Sequence, residues 1–67
     1  MKKKTQDDLR FRKTERLIQQ TFRELLKEKD YFHISIQELA SRAEINRNTF
    51  YLHYPSMDAL LLKMQTD

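Results

Sequence analysis

The chain has 67 residues, contains neither cysteine nor glycine, and carries a formal net charge of +3. This length suits one small domain, close to the lower limit for a chain that folds without disulfides or metals. The lack of cysteine excludes disulfides and thiolate metal sites, and no apolar run of a signal peptide follows Met1-Lys2-Lys3-Lys4. No stretch reaches the length of a membrane span, so we expect a cytoplasmic protein that does not bind membranes.

The positive charge lies in the first half of the chain. Residues 1–33 carry ten Lys or Arg against six Asp or Glu, a net of +4, whereas residues 34–67 carry three against four, a net of −1. A basic leading segment suits a polyanion such as the phosphate backbone of DNA. Lysine-rich ends also act as plain solubilising tails, so both interpretations stay open for Lys2, Lys3 and Lys4.

The first half of the chain predicts a basic arm followed by one long helix. Residues 1–12 are predicted to be mobile, and a helix is predicted to begin at about Leu9 or Lys13 and to end at Lys29. Its apolar face is formed by Leu17, Ile18, Phe22, Leu25 and Leu26. A connection over residues 30–34 follows, and we expect its apolar side chains to turn inward: Tyr31, Phe32 and Ile34.

A second, short helix is predicted to begin after Ser35. Ser35 followed by Glu38 is a capping box, in which the serine hydroxyl accepts from the backbone N–H three residues later. The helix has a single apolar stripe formed by Ile36, Leu39, Ala40 and Ala43. Three residues then form a turn, and the apolar Ile45 within it can fill the angle between two helices.

A third helix is predicted from Arg47 to Tyr54, with Asn46 as its cap. Phe50 and Tyr54 lie one turn apart and are assigned to the core. Pro55 ends this helix, because proline disfavours a helical residue before it and lacks a donor.

Ser56 then caps a fourth helix from Met57 to about Gln65. This helix is apolar on more than one side, and a chain of this size can hardly bury all four of its large apolar residues: Leu60, Leu61, Leu62 and Met64. We therefore expect exposure of Leu61, Leu62 and Met64, with some self-association or low stability.

The pattern predicts an all-α fold, a small helical bundle with a homeodomain-like three-helix core and the start of a fourth helix. A short helix, a three-residue turn and a second short helix over residues 36–54 form a helix-turn-helix. The outward N-terminal half of its second helix presents Arg47, Asn48, Thr49, Tyr51 and Leu52. In this architecture that end meets base edges in a major groove of DNA. An ordinary helical hairpin with a solvated polar face is the alternative.

Catalysis and metal binding have little support. The chain lacks a glycine-rich phosphate loop and a cysteine nucleophile, and Ser35, Ser41 and Ser56 are explained as caps or helix surface. His33 and His53 have no acidic or thiol ligands at recognisable spacing, so we expect neither a metal nor a cofactor. The sequence therefore predicts a protein that is not an enzyme.

Most of the chain, from Ile18 to about Met64, resembles a known family. The matching stretches are residues 25–31, residues 36–40 and, most specifically, Asn48-Thr49-Phe50-Tyr51-Leu52-His53-Tyr54-Pro55-Ser56-Met57-Asp58-Ala59-Leu60-Leu61. An aromatic pair, a histidine, an aromatic residue, a turn and an apolar helix are the mark of that family. The sequence thus resembles the N-terminal DNA-binding domain of the TetR/AcrR family of one-component bacterial regulators.

The chain departs from the family pattern at four positions. Asp30, Glu44 and Asn48 stand where the family commonly has glycine, and Met57 stands where it commonly has a phosphate-binding lysine. Glutamate tolerates a positive φ poorly, so we expect the turn at Glu44 to be strained or differently shaped. Met57 cannot bind a phosphate, so DNA binding is expected to depend more on the N-terminal arm.

The resemblance implies roles for residues at matching positions. Arg47 is expected to pair with guanine; its alternatives are a phosphate contact or a solvated surface side chain. Asn48 is expected to pair with adenine. Thr49 is expected to contact a thymine methyl group or a phosphate, or instead to help cap the helix. Tyr51 reaches the DNA backbone or packs on the first helix. The predicted base-reading residues are Gln37, Arg47, Asn48 and Thr49. The predicted backbone contacts are Ser35, Tyr51, His53, Lys2, Lys3 and Lys4.

The resemblance also implies partners and domain limits. It implies a homodimer that reads a palindromic operator in double-stranded DNA, more often as a repressor than as an activator. A C-terminal domain absent here would supply the dimer interface and bind a small-molecule effector. Residues 13–56 are then the DNA-binding domain and residues 57–67 the start of the connecting helix. A helical protein-interaction module that keeps the fold without specific DNA binding is the alternative function.

Overall fold

A computed structural model describes the backbone of residues 2–66 and the side chains of residues 9–65. Four α-helices follow one another: α1 Lys2–Glu28, α2 Ile36–Ala43, α3 Arg47–His53 and α4 Met57–Thr66. A 3-10 helix, Tyr31–His33, connects α1 to α2. The all-α fold with its helix-turn-helix is thus the predicted one.

Helix α1 begins earlier than the sequence predicted. The predicted start was Leu9 or Lys13, whereas the helix begins at Lys2 and runs to Glu28. Residues 2–12 contain neither glycine nor proline, so nothing in this stretch interrupts a helix that the core stabilises further along. The side chains of Lys2, Lys3 and Lys4 lie outside the described residues.

The three predicted caps are formed. The backbone N–H of Glu38 donates to Ser35 Oγ at 3.0 Å, that of Thr49 to Asn46 Oδ1 at 2.8 Å, and that of Ala59 to Ser56 Oγ at 3.1 Å. Each bond satisfies a backbone donor that has no partner within its helix. The caps therefore fix where α2, α3 and α4 begin.

The core lies where α1 crosses the other helices. Its fully buried side chains are Ile18, Phe22, Leu25, Leu39, Phe50 and Leu60. Tyr54 is buried as predicted, and Ile45 packs against this cluster from the turn. Leu17 and Leu26, predicted on the apolar face of α1, are exposed, so that face is narrower than the periodicity suggested.

Two predictions about apolar residues were wrong. Phe32, expected to turn inward, is 90% exposed, because the 3-10 helix directs only its neighbours Tyr31 and Ile34 toward the core. Leu61 and Met64, expected to be exposed, are partly buried against the core, and only Leu62 remains exposed. The fourth helix is therefore better covered than its composition indicated.

The turn between α2 and α3 adopts a left-handed conformation at Glu44, with φ 62° and ψ 41°. This is the position where glycine is common in the family that the sequence resembles, and a side chain there costs conformational energy. Asp30 by contrast has φ −69°, which any residue adopts, so the aspartate in place of the family's glycine costs no conformational energy here.

Two ion pairs hold α2 against the end of α1. Arg42 donates from Nη1 to Glu28 Oε2 at 2.7 Å and from Nη2 to Glu28 Oε1 at 2.9 Å. Lys29 Nζ donates to Glu38 Oε2 at 2.7 Å. The hydrogen bond from Arg42 holds the pKa of Glu28 below its ordinary value of 4.5. The pairs orient the helix-turn-helix relative to α1.

Candidate nucleic-acid interface

Helix α3 has one buried side and one open side. Phe50 is fully buried, and it anchors the helix in the core. The side chains of Arg47, Asn48, Tyr51 and Leu52 are exposed. Residues four apart share a helix face, so Arg47 and Tyr51 form one row and Asn48 and Leu52 the next. These four side chains form the open face of α3.

Arg47 and Asn48 are available for new contacts. Neither side chain forms a hydrogen bond or an ion pair with another residue of the described part of the chain. Because Asn46 caps the helix, the first turn of α3 is rigid, and both side chains begin from a fixed backbone. A guanidinium and an amide in this position can each make two parallel hydrogen bonds to a base edge.

Thr49 is committed to the cap. Its Oγ1 donates to Asn46 Oδ1 at 3.1 Å while its backbone N–H donates to the same oxygen. A phosphate oxygen can only accept, so this hydroxyl cannot donate to DNA without losing the bond to Asn46. Of the three roles proposed for Thr49, the geometry favours the cap, and its methyl group remains free for an apolar contact.

The residues at the start of α2 lie at the surface. Ser35 and Gln37 are both exposed. Ser35 Oγ accepts from the backbone of α2, which leaves the hydroxyl proton free for a phosphate oxygen. Helix N-termini also attract phosphates through their unpaired N–H groups. Tyr51 is exposed, and its ring meets that of Phe50 edge-on, with the centroids 5.6 Å apart.

The ring of His53, a predicted contact of the DNA backbone, lies against α1. Its side chain is only 2% exposed, and its ring lies under that of Phe11, with the two centroids 3.8 Å apart. Its Nδ1 is buried without a hydrogen-bond partner and lies 3.6 Å from Glu15 Oε1. Phe11 covers this ring, so a contact between His53 and a phosphate requires Phe11 to move.

A hydrogen-bonded group fixes the end of α3 on α1. Gln19 Nε2 donates to the hydroxyl of Tyr54 at 2.9 Å, and that hydroxyl donates to Glu15 Oε2 at 3.1 Å. The two oxygens of Glu15 therefore face Tyr54 and His53, the last residues of the recognition segment. Neither Glu15 nor Gln19 was singled out in the sequence, because their partners follow them by more than thirty residues.

The remaining sites give no sign of other chemistry. Met57, in the position where a phosphate-binding lysine is common, is partly buried against the core. Within the described residues, no three His, Asp or Glu side chains come together in a way that could hold a metal ion. None of the helices in that part of the chain has the length and apolar character needed to cross a membrane.

Comparison with known proteins decides the family. The profile described as bacterial regulatory proteins, tetR family, matches residues 17–64, which include all of the helix-turn-helix. The chain belongs to the TetR family. This confirms the predicted resemblance and the predicted class of domain, the helix-turn-helix domain of DNA-binding transcriptional regulators.

Individual relatives are helix-turn-helix regulators. The chain is 42% identical over 50 residues to the uncharacterized HTH-type transcriptional regulator YuxN of Bacillus subtilis. The aligned residues are 75% of this chain and 17% of that protein. It is also 43% identical over 44 residues to the HTH-type transcriptional regulator EthR of Mycolicibacterium smegmatis. Here the aligned residues are 66% of this chain and 20% of that protein. No solved structure matches with comparable significance. The chain thus spans about a fifth of the length of these relatives.

Proposed function

We propose that this chain is the reading head of a TetR-type regulator and that it binds double-stranded DNA at a specific sequence. Helix α3 enters the major groove, which is wide enough to admit an α-helix. The observation that carries the proposal is the two-sided character of α3. Phe50 anchors one side in the core, and Arg47, Asn48, Tyr51 and Leu52 are exposed together on the other.

The proposed base contacts come from the first turns of α2 and α3. Arg47 binds guanine through O6 and N7, and Asn48 binds adenine through N6 and N7. Gln37, exposed at the start of α2, reaches a base at the edge of the site. Thr49 contributes at most its methyl group to a thymine, because its hydroxyl is held by Asn46.

The proposed backbone contacts position α3 without reading sequence. Ser35 donates its free hydroxyl proton, and Tyr51 donates from its exposed phenol. Lys2, Lys3 and Lys4 supply charge at the start of α1. His53 is left out of this set, because its buried ring supports the helix from behind.

The partners of the whole protein are part of the same proposal. The relatives are at least about five times longer than the matched segment, which supports a further domain outside it, and the resemblance implies that this domain follows α4. That domain would form a homodimer and bind a small-molecule effector, so that two copies of α3 read a palindromic operator, as a repressor more often than as an activator. Residues 13–56 would read the DNA, and residues 57–67 would begin the connection. A chromosomal operator would place the protein in the cytoplasm.

Selection from random duplex DNA at two salt concentrations tests the proposal. We expect the 67-residue chain to enrich one sequence, with half-sites about one helical turn apart when two copies bind. A matched selection with Arg47→Ala should lose the preference at one base position. Weak binding of every sequence alike, with a steep salt dependence, would contradict the proposal and favour the protein-interaction module.

A further inference from the structure

A shallow groove separates the N-terminal half of α1 from the open face of α3. We call it the α1–α3 groove, and it has a volume of about 200 Å³. Its lining residues are Arg10, Phe11, Thr14, Thr49, Leu52 and His53. The side chains on its walls are largely apolar, with the one cation of Arg10 among them.

The groove is continuous with the proposed reading face. Leu52 belongs to both, since it lines the groove and lies one turn beyond Asn48 on the open face of α3. A duplex whose bases meet Arg47 and Asn48 has a sugar-phosphate strand on each side of the major groove, which is about 12 Å wide. The strand on the side of α1 would run past Leu52 and Arg10.

Leu52 has the surroundings of a contact residue rather than a core residue. Its side chain is 74% exposed on the open face of α3, and the described part of the chain does not cover it. The C5-methyl group of thymine is the apolar group that the major groove presents, and apolar side chains read it. Neighbouring Thr49 offers a methyl group as well, because its hydroxyl is bonded to Asn46.

Arg10 supplies the charge that a DNA strand requires. It is exposed on α1 at the groove. Arg12, two residues further along, lines a different cleft of about 290 Å³ beside α4 together with Glu15, Arg16, Gln19 and Lys63. The two arginines thus belong to opposite sides of α1, and only Arg10 lies beside α3.

We propose that bound DNA lies along the open rim of the α1–α3 groove, with Leu52 against a thymine methyl group and Arg10 on a phosphate. The inference rests on the proposed function. It adds the face of α1 at Arg10 to the interface, together with a specificity residue that acts through apolar contact rather than hydrogen bonds. Leu52 makes part of the preferred sequence depend on thymine.

Replacing each thymine of the selected site by uracil tests the contact of Leu52, because uracil lacks only the methyl group. For the unmodified chain, we expect one replacement to weaken binding about three- to tenfold, the loss of one buried methyl contact. Leu52→Ala should bind the thymine and uracil forms of that position equally. Leu62→Ala, which makes the same change at an exposed leucine of α4, should keep the discrimination.

Arg10→Ala and Arg12→Ala test the contact with the phosphate. Both remove one positive charge from α1, so any general electrostatic effect is the same. Only Arg10→Ala should weaken binding to all sequences alike and reduce the slope of log affinity against log salt by about 0.9, the value for one phosphate contact. Thermal unfolding of each variant checks that the fold is retained.

The outcomes separate the two proposals. If the unmodified chain enriches no sequence, the proposed function fails and the inference fails with it. If the chain binds a specific site but Leu52→Ala keeps full discrimination between thymine and uracil, only the inference about the groove is overturned. Equal losses for Arg10→Ala and Arg12→Ala would likewise overturn the phosphate contact and leave the reading head intact.

Discussion

The ring of Phe11 on α1 stacks on the ring of His53 at the end of α3, with centroids 3.8 Å apart and planes 22° from parallel. This contact joins the N-terminal half of α1 to the helix that we propose to read DNA. It also removes His53 from solvent. The position of α3 therefore depends on a residue that lies in the segment predicted to be a mobile arm.

Phe11→Ala should destabilise the domain and loosen the end of α3. The expected cost is about 1–2 kcal/mol, from the lost ring pair and the apolar area that Phe11 shields. Phe32→Ala is the matched control, because that ring is 90% exposed, and it should change the free energy of unfolding by less than about 0.5 kcal/mol. Urea unfolding measures both. Equal effects of the two variants would mean that the stack on His53 is not structural.

Glu44→Gly should stabilise the domain by about 0.5–1 kcal/mol. Glu44 has φ 62°, and glycine at this position would avoid the steric cost of a Cβ. The greater entropy of glycine in the unfolded chain offsets part of this gain. Ser41→Gly, at an exposed position inside α2, should instead destabilise it by about 1 kcal/mol. Melting temperatures that shift in opposite directions would confirm the strain, and a loss of stability in Glu44→Gly would argue against it.

The hydroxyl of Tyr31 donates a hydrogen bond to Asp58 Oδ1, which connects the 3-10 helix to α4. This bond raises the pKa of Tyr31 from 10.0 to about 12. Because the raised pKa belongs to the folded state, the stabilisation is complete below pH 10 and is lost as the pH rises through about 12. A spectroscopic titration of the phenol should show this value, and Asp58→Ala, which removes the acceptor, should return the pKa toward 10. An unchanged titration in Asp58→Ala would rule out the bond.

The pair between Arg42 and Glu28 predicts a loss of stability in acid. The hydrogen bond from Arg42 lowers the pKa of Glu28 below 4.5 in the folded state. The contribution is therefore present above that value and disappears as the pH falls through the lowered pKa. Arg42→Met should flatten the fall of melting temperature over this range, whereas Arg23→Met, at another exposed arginine, should not. The same acid profile in all three proteins would contradict this assignment.

Local signals in the sequence were sufficient to predict the helix-turn-helix. Ser35, Asn46 and Ser56 each accept from a backbone N–H three residues later, so these bonds depend on neighbours that a sequence displays directly. Phe50 and Tyr54 repeat at helical spacing and are buried as predicted. The positive φ at Glu44 was expected from the resemblance, since glycine is common at this position of the family.

Features that depend on distant residues were missed. His53 is buried because Phe11 covers it, and no local pattern connects residues so far apart in the chain. The exposure of Phe32 likewise depends on how the connection between α1 and α2 packs on the core. The α1–α3 groove has the same origin, so Arg10 was not singled out in the sequence. A site formed by two helices becomes visible only once the helices are packed.

The most direct test of the central claim compares the affinity for the selected duplex with that for a shuffled duplex of the same composition. The account predicts that Arg47→Ala lowers this ratio, by an amount that corresponds to about 1–3 kcal/mol of binding free energy, because it removes a bidentate contact with one base. Arg23→Ala, which removes the same charge from the exposed surface of α1, should leave the ratio unchanged. An unchanged ratio in Arg47→Ala would mean that this residue does not read DNA and would contradict the account.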